Sequence, residues 1–531
     1  MDLILRGSLA ETWWGWGRLL LLAGAVSAGS SARGNEVEAP AESAQESADT
    51  SPVEAETESG LRLGSPFGDH MVFQAERPLP VWGWDEPGQA VEVRLAGHTA
   101  EARADDAGFW RLELPAVSEV GPHVLEVVGS QTRRLEDVVA GEVWWCSGQS
   151  NMGWPMKNSW GWNWVQKLPP DPDLRLFQLP QVTADTPRDR VAATWQISDA
   201  ASVEKFSGVG YFFGRQLAKE LDRPIGLMLS AWGGSKVRAW LPQEVLQANP
   251  HYESERSGRQ QSVQRYRQQI QKGEAGGKQG KRPAWGGAGP QHSLSGLYNA
   301  MVHPIEPYPV RGVIWYQGES DAWMPDPYAD LFTDLVASWR RGFGDSKLPV
   351  FMVQLPNFEN KVNWAPFRDM QRRLAEDDPD LDIAVTIDVG QADDIHPPNK
   401  QPVGHRLARL ALAQVYGRDV LAGGPRPVEL TPDPDEPGAV RVRFDRVGQG
   451  LKLSDDAAGP LSFVLVAGEQ RQAADAQIVA PDTVRVHAPG LGQPTELRYA
   501  NTGNPRVNLV NSEDLPATPF VLQMPASEPG S

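Results

Sequence analysis

The sequence predicts an α/β protein, a doubly wound parallel sheet with β-rich N-terminal and C-terminal domains. Three observations carry that prediction. Between about 141 and 420, short apolar runs alternate with stretches whose apolar residues recur at helical spacing, the pattern of parallel strands covered by helices. Residues 61–140 break instead into short period-two segments divided by turns. From about 425 onward the same β character returns. At 531 residues, the chain has room for two to four such domains.

Taken in order, residues 1–28 read as an export signal. Arg6 and Arg18 flank the n-region, "LLLLAGAV" is a short apolar core, and Val26-Ser27-Ala28 fits a small-residue cleavage site. The apolar run is too short to span a bilayer as a helix. The expectation is a soluble secreted or periplasmic protein, with an uncleaved membrane tether as the alternative. Residues 29–60 are Ala, Ser, Glu and Pro without aromatics, so they cannot bury enough apolar surface to offset ordering entropy and are expected to be a disordered acidic linker.

In 61–140, "AVEVRLAG", "GFWRLELPA" and "HVLEVVG", separated by turns such as Asp105-Asp106-Ala107-Gly108, predict a small β-sandwich. The expected parallel strands follow: "EVWWC" (142–146), "IGLMLS" (225–230), "GVIWY" (312–316), "PVFMVQL" (349–355) and "IAVTIDV" (383–389). Helices are expected where Val209, Phe212, Phe213, Leu217 and Leu221 recur, and over 329–343 and 403–416. A polar, glycine-rich stretch at 252–290 reads as an insertion into the 141–420 domain, and 425–525 as a β-rich C-terminal domain.

Composition narrows the function. The formal net charge of −18 argues against nucleic acid or an anionic membrane as the main partner. The single cysteine, Cys146, excludes an intrachain disulfide and a Cys-based metal cluster, and its place in "VWWC" marks it as core. No second histidine stands at ligand spacing from His396, so no metal site is expected. There is no Gly-x-Ser-x-Gly elbow and no phosphate-binding glycine loop.

What remains is a set of polar clusters placed directly after the strands: Gly148-Gln149-Ser150-Asn151, Ala231-Trp232-Gly233-Gly234-Ser235, Gln317-Gly318-Glu319-Ser320 and Asp393-Asp394-Ile395-His396. A parallel sheet brings all four to one edge, where ligands bind in such folds. Together they hold the parts of acyl transfer. A serine hydroxyl needs a base within hydrogen-bond reach, and His396 is the candidate. An acid three residues earlier is placed to orient its ring. The backbone N–H groups of Ser150 and Gly234 and the Gln317 amide are candidate oxyanion donors.

"GQSNM", "WYQGES" and "DDIHPPNKQPVG", with "MVFQAERPLPVWGW", "RPIGLMLSAWGGSKVRAW" and "LYNAMVHPIEPYPVRGVIWYQGESDAW" in order, resemble the sialate O-acetylesterase family of the SGNH (GDSL-like) hydrolases over roughly 61–420. The resemblance implies an SGNH-type fold, a serine carbohydrate esterase that needs no cofactor, and an O-acetylated carbohydrate as substrate. It implies Ser150 as nucleophile, His396 as general base, and Gly234 and Gln317 in the oxyanion hole. Asp393 stands at the superfamily's acid position, with Asp394 and Glu319 as alternative partners of His396. Asn151 is a supporting candidate. Trp154, Trp160 and Trp162 are candidates for stacking on sugar. Arg238, where relatives often have Glu, is read either as a partner for a sugar carboxylate or as a surface salt bridge. Two other readings stay open: a deacetylase of plant or algal polysaccharide, and a non-catalytic glycan-binding protein. The sequence carries no statement of oligomeric state.

Overall fold

The computed structural model describes residues 60–252, 257, 264, 289–359 and 361–525. The expected export signal, nearly all of the acidic linker, and most of the 252–290 insertion lie outside the described residues.

Seven strands make the central layer. In chain order they are β1 (Thr132–Gly148), β2 (Asp171–Gln178), β3 (Trp195–Ser198), β4 (Ile225–Ala231), β5 (Gly312–Tyr316), β6 (Val350–Val353) and β7 (Leu381–Ala384). Across the sheet they run β3-β2-β4-β1-β5-β6-β7, all parallel except β3 at the edge. From β1 the chain lays β5, β6 and β7 on one side and β4, β2 and β3 on the other, so the sheet is wound in both directions from its central strand.

Period-two alternation sends successive side chains to opposite layers. Trp144 and Cys146 of β1 join Leu227, Leu229, Ile314 and Phe351 in one core. Helices α1 (Gly208–Leu221) and α4 (Gln401–Gln414) cover that core, through Phe213, Leu217, Leu407 and Ala411. Val143 and Trp145 face the other core with Met228, Val313 and Met352, under α2 (Pro325–Gly342) and α3 (Ala365–Asp377). At full burial each large apolar side chain contributes roughly 1.5–3 kcal/mol, so the layers are held mainly by these faces.

The expected boundary at 140/141 falls inside a strand. β1 is 17 residues long. Its first half pairs antiparallel with His123–Val128 in the N-terminal β-layers, and its second half is the centre of the parallel sheet. The N-terminal layers share one core with the sheet, including Val81, Trp110, Val93 and Val127. The C-terminal region forms two antiparallel four-stranded sheets around Val442, Phe444, Leu465, Val484, Leu497 and Tyr499. Arg446 ties it to the central domain through a 2.7 Å ion pair with Asp382 of β7.

Register positions the site. Gly148 at the end of β1 lies opposite Ala231 of β4 and Tyr316 of β5, so three polar loops leave the sheet at one level. Gly148 has φ +142, and a Cβ there would lie 2.1 Å from the Tyr316 carbonyl oxygen. Only glycine lets the chain turn off β1 while its neighbour stays paired.

Candidate active site

The turn after Gly148 carries Ser150, half-buried at the sheet edge. The Gln149 N–H donates to the Tyr316 carbonyl at 3.0 Å and the Gly153 N–H to the Gln149 carbonyl at 2.9 Å, which closes the turn around the serine. His396 comes from the long loop between β7 and α4. Its Nε2 lies 2.8 Å from Ser150 Oγ. Two residues 246 positions apart thus meet as a hydroxyl and a base.

The imidazole is held in place by its loop and by an aromatic ring. Asp394 Oδ1 accepts the His396 backbone N–H at 2.8 Å, an Asx turn that sets the backbone before the ring. Trp154 stacks on the ring with centroids 5.0 Å apart and planes at 17°. Burial is the main cause holding His396 below the ordinary histidine range; Lys400 adds to it and the Asp394 charge opposes it. The base is therefore kept neutral, the form that accepts a proton.

The expected acid does not reach the ring. Asp393 is exposed and has no hydrogen bond or ion pair among the described residues. The Asx turn explains this correction: Asp394 turns inward to the backbone, so its neighbour turns out. Neither alternative bonds to the imidazole. Asp394 bonds to the backbone, and Glu319 Oε1 accepts from Asn151 Nδ2 at 2.6 Å.

The turn after β4 also packs against Ser150. A Cβ on Gly233 would meet Ser150 Cβ at 3.3 Å, so this backbone packs against the serine. Gly234 follows in the left-handed region, φ +71. The N–H groups of Ser150 and Gly234 donate to no acceptor among the described residues, which leaves both available to a developing oxyanion.

Gln317 requires a second correction. It is fully buried, and its Nε2 donates to the Ser235 carbonyl at 3.1 Å and to Asp321 Oδ2 at 2.7 Å. Both amide hydrogens are spent on structure, and the atom left without a partner is the acceptor Oε1. The chemistry of the partners, a carbonyl and a carboxylate, fixes the amide this way round. Gln317 therefore braces the loops instead of presenting a donor to the oxyanion.

The remaining candidates scatter. Trp160 is 57% exposed and Trp162 packs half-buried against the core that holds Phe212 and Leu217, while Trp154 is the ring stacked on His396. Arg238 is buried in the turn Val237–Trp240, and its charge bears on Asp321 and His292. Ser147 donates to the Ser230 carbonyl at 2.7 Å, and Ser235 accepts from Trp240 Nε1 at 3.0 Å; both are structural. Cys146 is buried, and burial pushes its thiol well up.

Sequence reasoning missed Lys400, Gly233 and Asp321. Lys400 is buried, and its Nζ donates to Asn151 Oδ1. Asp321 is buried between the Gln317 amide and the Val237 N–H, which donates to it at 2.9 Å. Gly233 stood beside Gly234 in the cluster after β4, and that glycine pair was the available signal.

Comparison with known proteins shows the family. Residues 140–280 and 276–413 match the family described as carbohydrate esterase, sialic acid-specific acetylesterase. The chain is 30% identical to mouse (Mus musculus) sialate O-acetylesterase over 421 residues, 70% of this chain and 76% of the relative. It is 30% identical to the human (Homo sapiens) sialate O-acetylesterase over 422 residues, 70% of this chain and 74% of the relative. A crystal structure of a carbohydrate acetylesterase from Xanthomonas citri superposes with a TM-score of 0.76 at 32% identity, covering 87% of this chain and 99% of that one. The chain belongs to the sialic acid-specific acetylesterase family and is a carbohydrate esterase.

Proposed function

We propose that this esterase removes acetyl groups from O-acetylated sialic acid through an acetyl-enzyme on Ser150. The observation that carries the reading is the 2.8 Å contact between Ser150 Oγ and His396 Nε2 at the carboxyl edge of the parallel sheet. Ser150 Oγ attacks the acetyl carbonyl carbon while its proton passes to His396 Nε2. The carbonyl electrons move onto oxygen, which takes hydrogen bonds from the Ser150 and Gly234 N–H groups. Collapse breaks the bond to the sugar oxygen, which takes the proton from Nε2. Water, deprotonated by the same nitrogen, then attacks the acetyl carbon, releasing acetate and restoring the serine.

The sialate assignment rests on the names of the curated relatives. The test is acetate release from O-acetylated sialic acid and from acetylated xylan, by wild type and by Ser150→Ala. The expected result is faster release from the sialic acid and a loss of roughly a thousandfold or more in the variant. Preference for xylan would make the protein a polysaccharide deacetylase. No release from either sugar would return the glycan-binding reading. Residues 1–28 are read as an export signal, which predicts a secreted or periplasmic protein beginning at Gly29; recovery of the chain with Met1 intact and membrane-bound would overturn that.

A further inference from the structure

Behind the Ser150–His396 pair lies a buried polar group that the reaction above does not use. Asn151, fully buried, spends its whole amide on three partners. Its Nδ2 donates to Glu319 Oε1 at 2.6 Å and to the Ile395 carbonyl at 2.9 Å, and its Oδ1 accepts from Lys400 Nζ. The amide thus joins the residue after the nucleophile to the residue before the base. Lys400 Nζ also lies 5.7 Å from the centroids of both Trp154 and Tyr316. Trp154 is the ring stacked on His396.

This arrangement is costly. Lys400 is 1% exposed and sits at the N-terminus of α4, the end of a helix that disfavours a positive charge. Burial lowers its ammonium to about 7 and raises the Glu319 carboxyl, whose Oε2 is buried without a partner. An apolar side chain at 400 would fill such a place without that cost. A cost borne directly beside the reacting pair points to a role in it.

We propose that Lys400 is a positioning residue: through Asn151 it locks the serine turn to the histidine loop and the Glu319 loop, and through Trp154 it keeps the imidazole pressed toward Ser150. The proposal rests on the assignment of Ser150 and His396 above. The charged groups that bear on His396 are Lys400 and Asp394; those on Lys400 are Glu319 and Asp394; those on Glu319 are Lys400 and Asp321.

The test is Lys400→Met, of similar length and without charge, assayed with p-nitrophenyl acetate across pH beside wild type and Ser150→Ala. The expected result is a fall in kcat on the order of 100-fold with KM little changed, as for a misplaced reacting group. Loss of the positive charge also raises the histidine pKa, so the acid limb of kcat/KM moves to higher pH. A filler role would not move that limb. Trp154→Leu, at a half-buried position less critical to folding, is the second variant; it opens the imidazole to water and moves the limb the same way. If Lys400→Met does not fold, Trp154→Leu decides. Wild-type kcat and an unmoved limb in the folded variants would overturn the proposal, as would a change in KM alone. Should Ser150→Ala keep wild-type activity, the assignment of the nucleophile fails instead, and the two failures are distinguishable.

Discussion

Gly148→Ala is the most sensitive test of how the sheet sets the site. Two costs add. The residue has φ +142, a conformation that side chains adopt only at about 1–3 kcal/mol. Its new Cβ would also lie 2.1 Å from the Tyr316 oxygen, 2.7 Å from its carbon and 3.0 Å from its nitrogen. These are backbone atoms of the neighbouring strand, and the oxygen is the acceptor of the Gln149 N–H. Relief requires β1 and β5 to part at their ends, with loss of one or two hydrogen bonds worth about 1 kcal/mol each. The total is roughly 2–5 kcal/mol. Gly234→Ala is the control. It also has positive φ, but the nearest atom to its Cβ is 3.7 Å away, so only the left-handed penalty of about 1–2 kcal/mol applies. Urea unfolding of both variants, followed by p-nitrophenyl acetate turnover on the folded fraction, measures the difference. Gly148→Ala is expected to be the less stable by about 1–2 kcal/mol, the worth of the lost hydrogen bonds, and to lose turnover, because Ser150 rides on the displaced turn. A Gly148→Ala protein as stable as Gly234→Ala, with wild-type turnover, would refute the reasoning.

Two further predictions follow from the histidine loop. Since burial and Lys400 hold His396 below its ordinary range, the neutral base persists into mild acid, and kcat/KM falls only below the usual histidine pKa of 6.5; a pH–rate profile whose acid limb lies at or above that value contradicts this. Asp393→Asn should change kcat/KM less than about threefold, whereas Asp394→Ala, which removes the Asx turn under His396, should cost roughly tenfold or more. The reverse order would restore Asp393 as the orienting acid.

The sequence made the chemistry more legible than its support. Ser150 and His396, which the fold brings to 2.8 Å, stood out as candidates because small polar residues directly after buried strands have few structural reasons to be there. Strands β4, β5 and β6 and the second half of β1 read clearly because their side chains are apolar on both faces, whereas β7, at Leu381–Ala384, overlaps only the start of the expected 383–389 run. Helix α3 escaped notice because Arg368, Gln371 and Arg372 are among its buried residues, so polar side chains interrupt its apolar stripe. Strand β2, "DPDLRLFQ", is masked in the same way by its acidic, proline-containing start. Asp393 and Asp394 could not be told apart by spacing, since an Asx turn, not a helical turn, decides which carboxylate faces inward. Gln317 looked like an oxyanion donor until its hydrogens were traced to Ser235 and Asp321, which arrive from other loop positions. Lys400 left almost no trace, because a lysine at the start of a helix ordinarily reads as solvated.

The account rests on Ser150 and His396 acting as one catalytic unit. The measurement that tests this most directly is p-nitrophenyl acetate turnover by Ser150→Ala, His396→Ala and the double variant, side by side. Residues that act as a unit are non-additive, so each single variant should lose roughly a thousandfold or more and the double variant scarcely more. Losses that multiply in the double variant, or either single variant turning over near the wild-type rate, would contradict it.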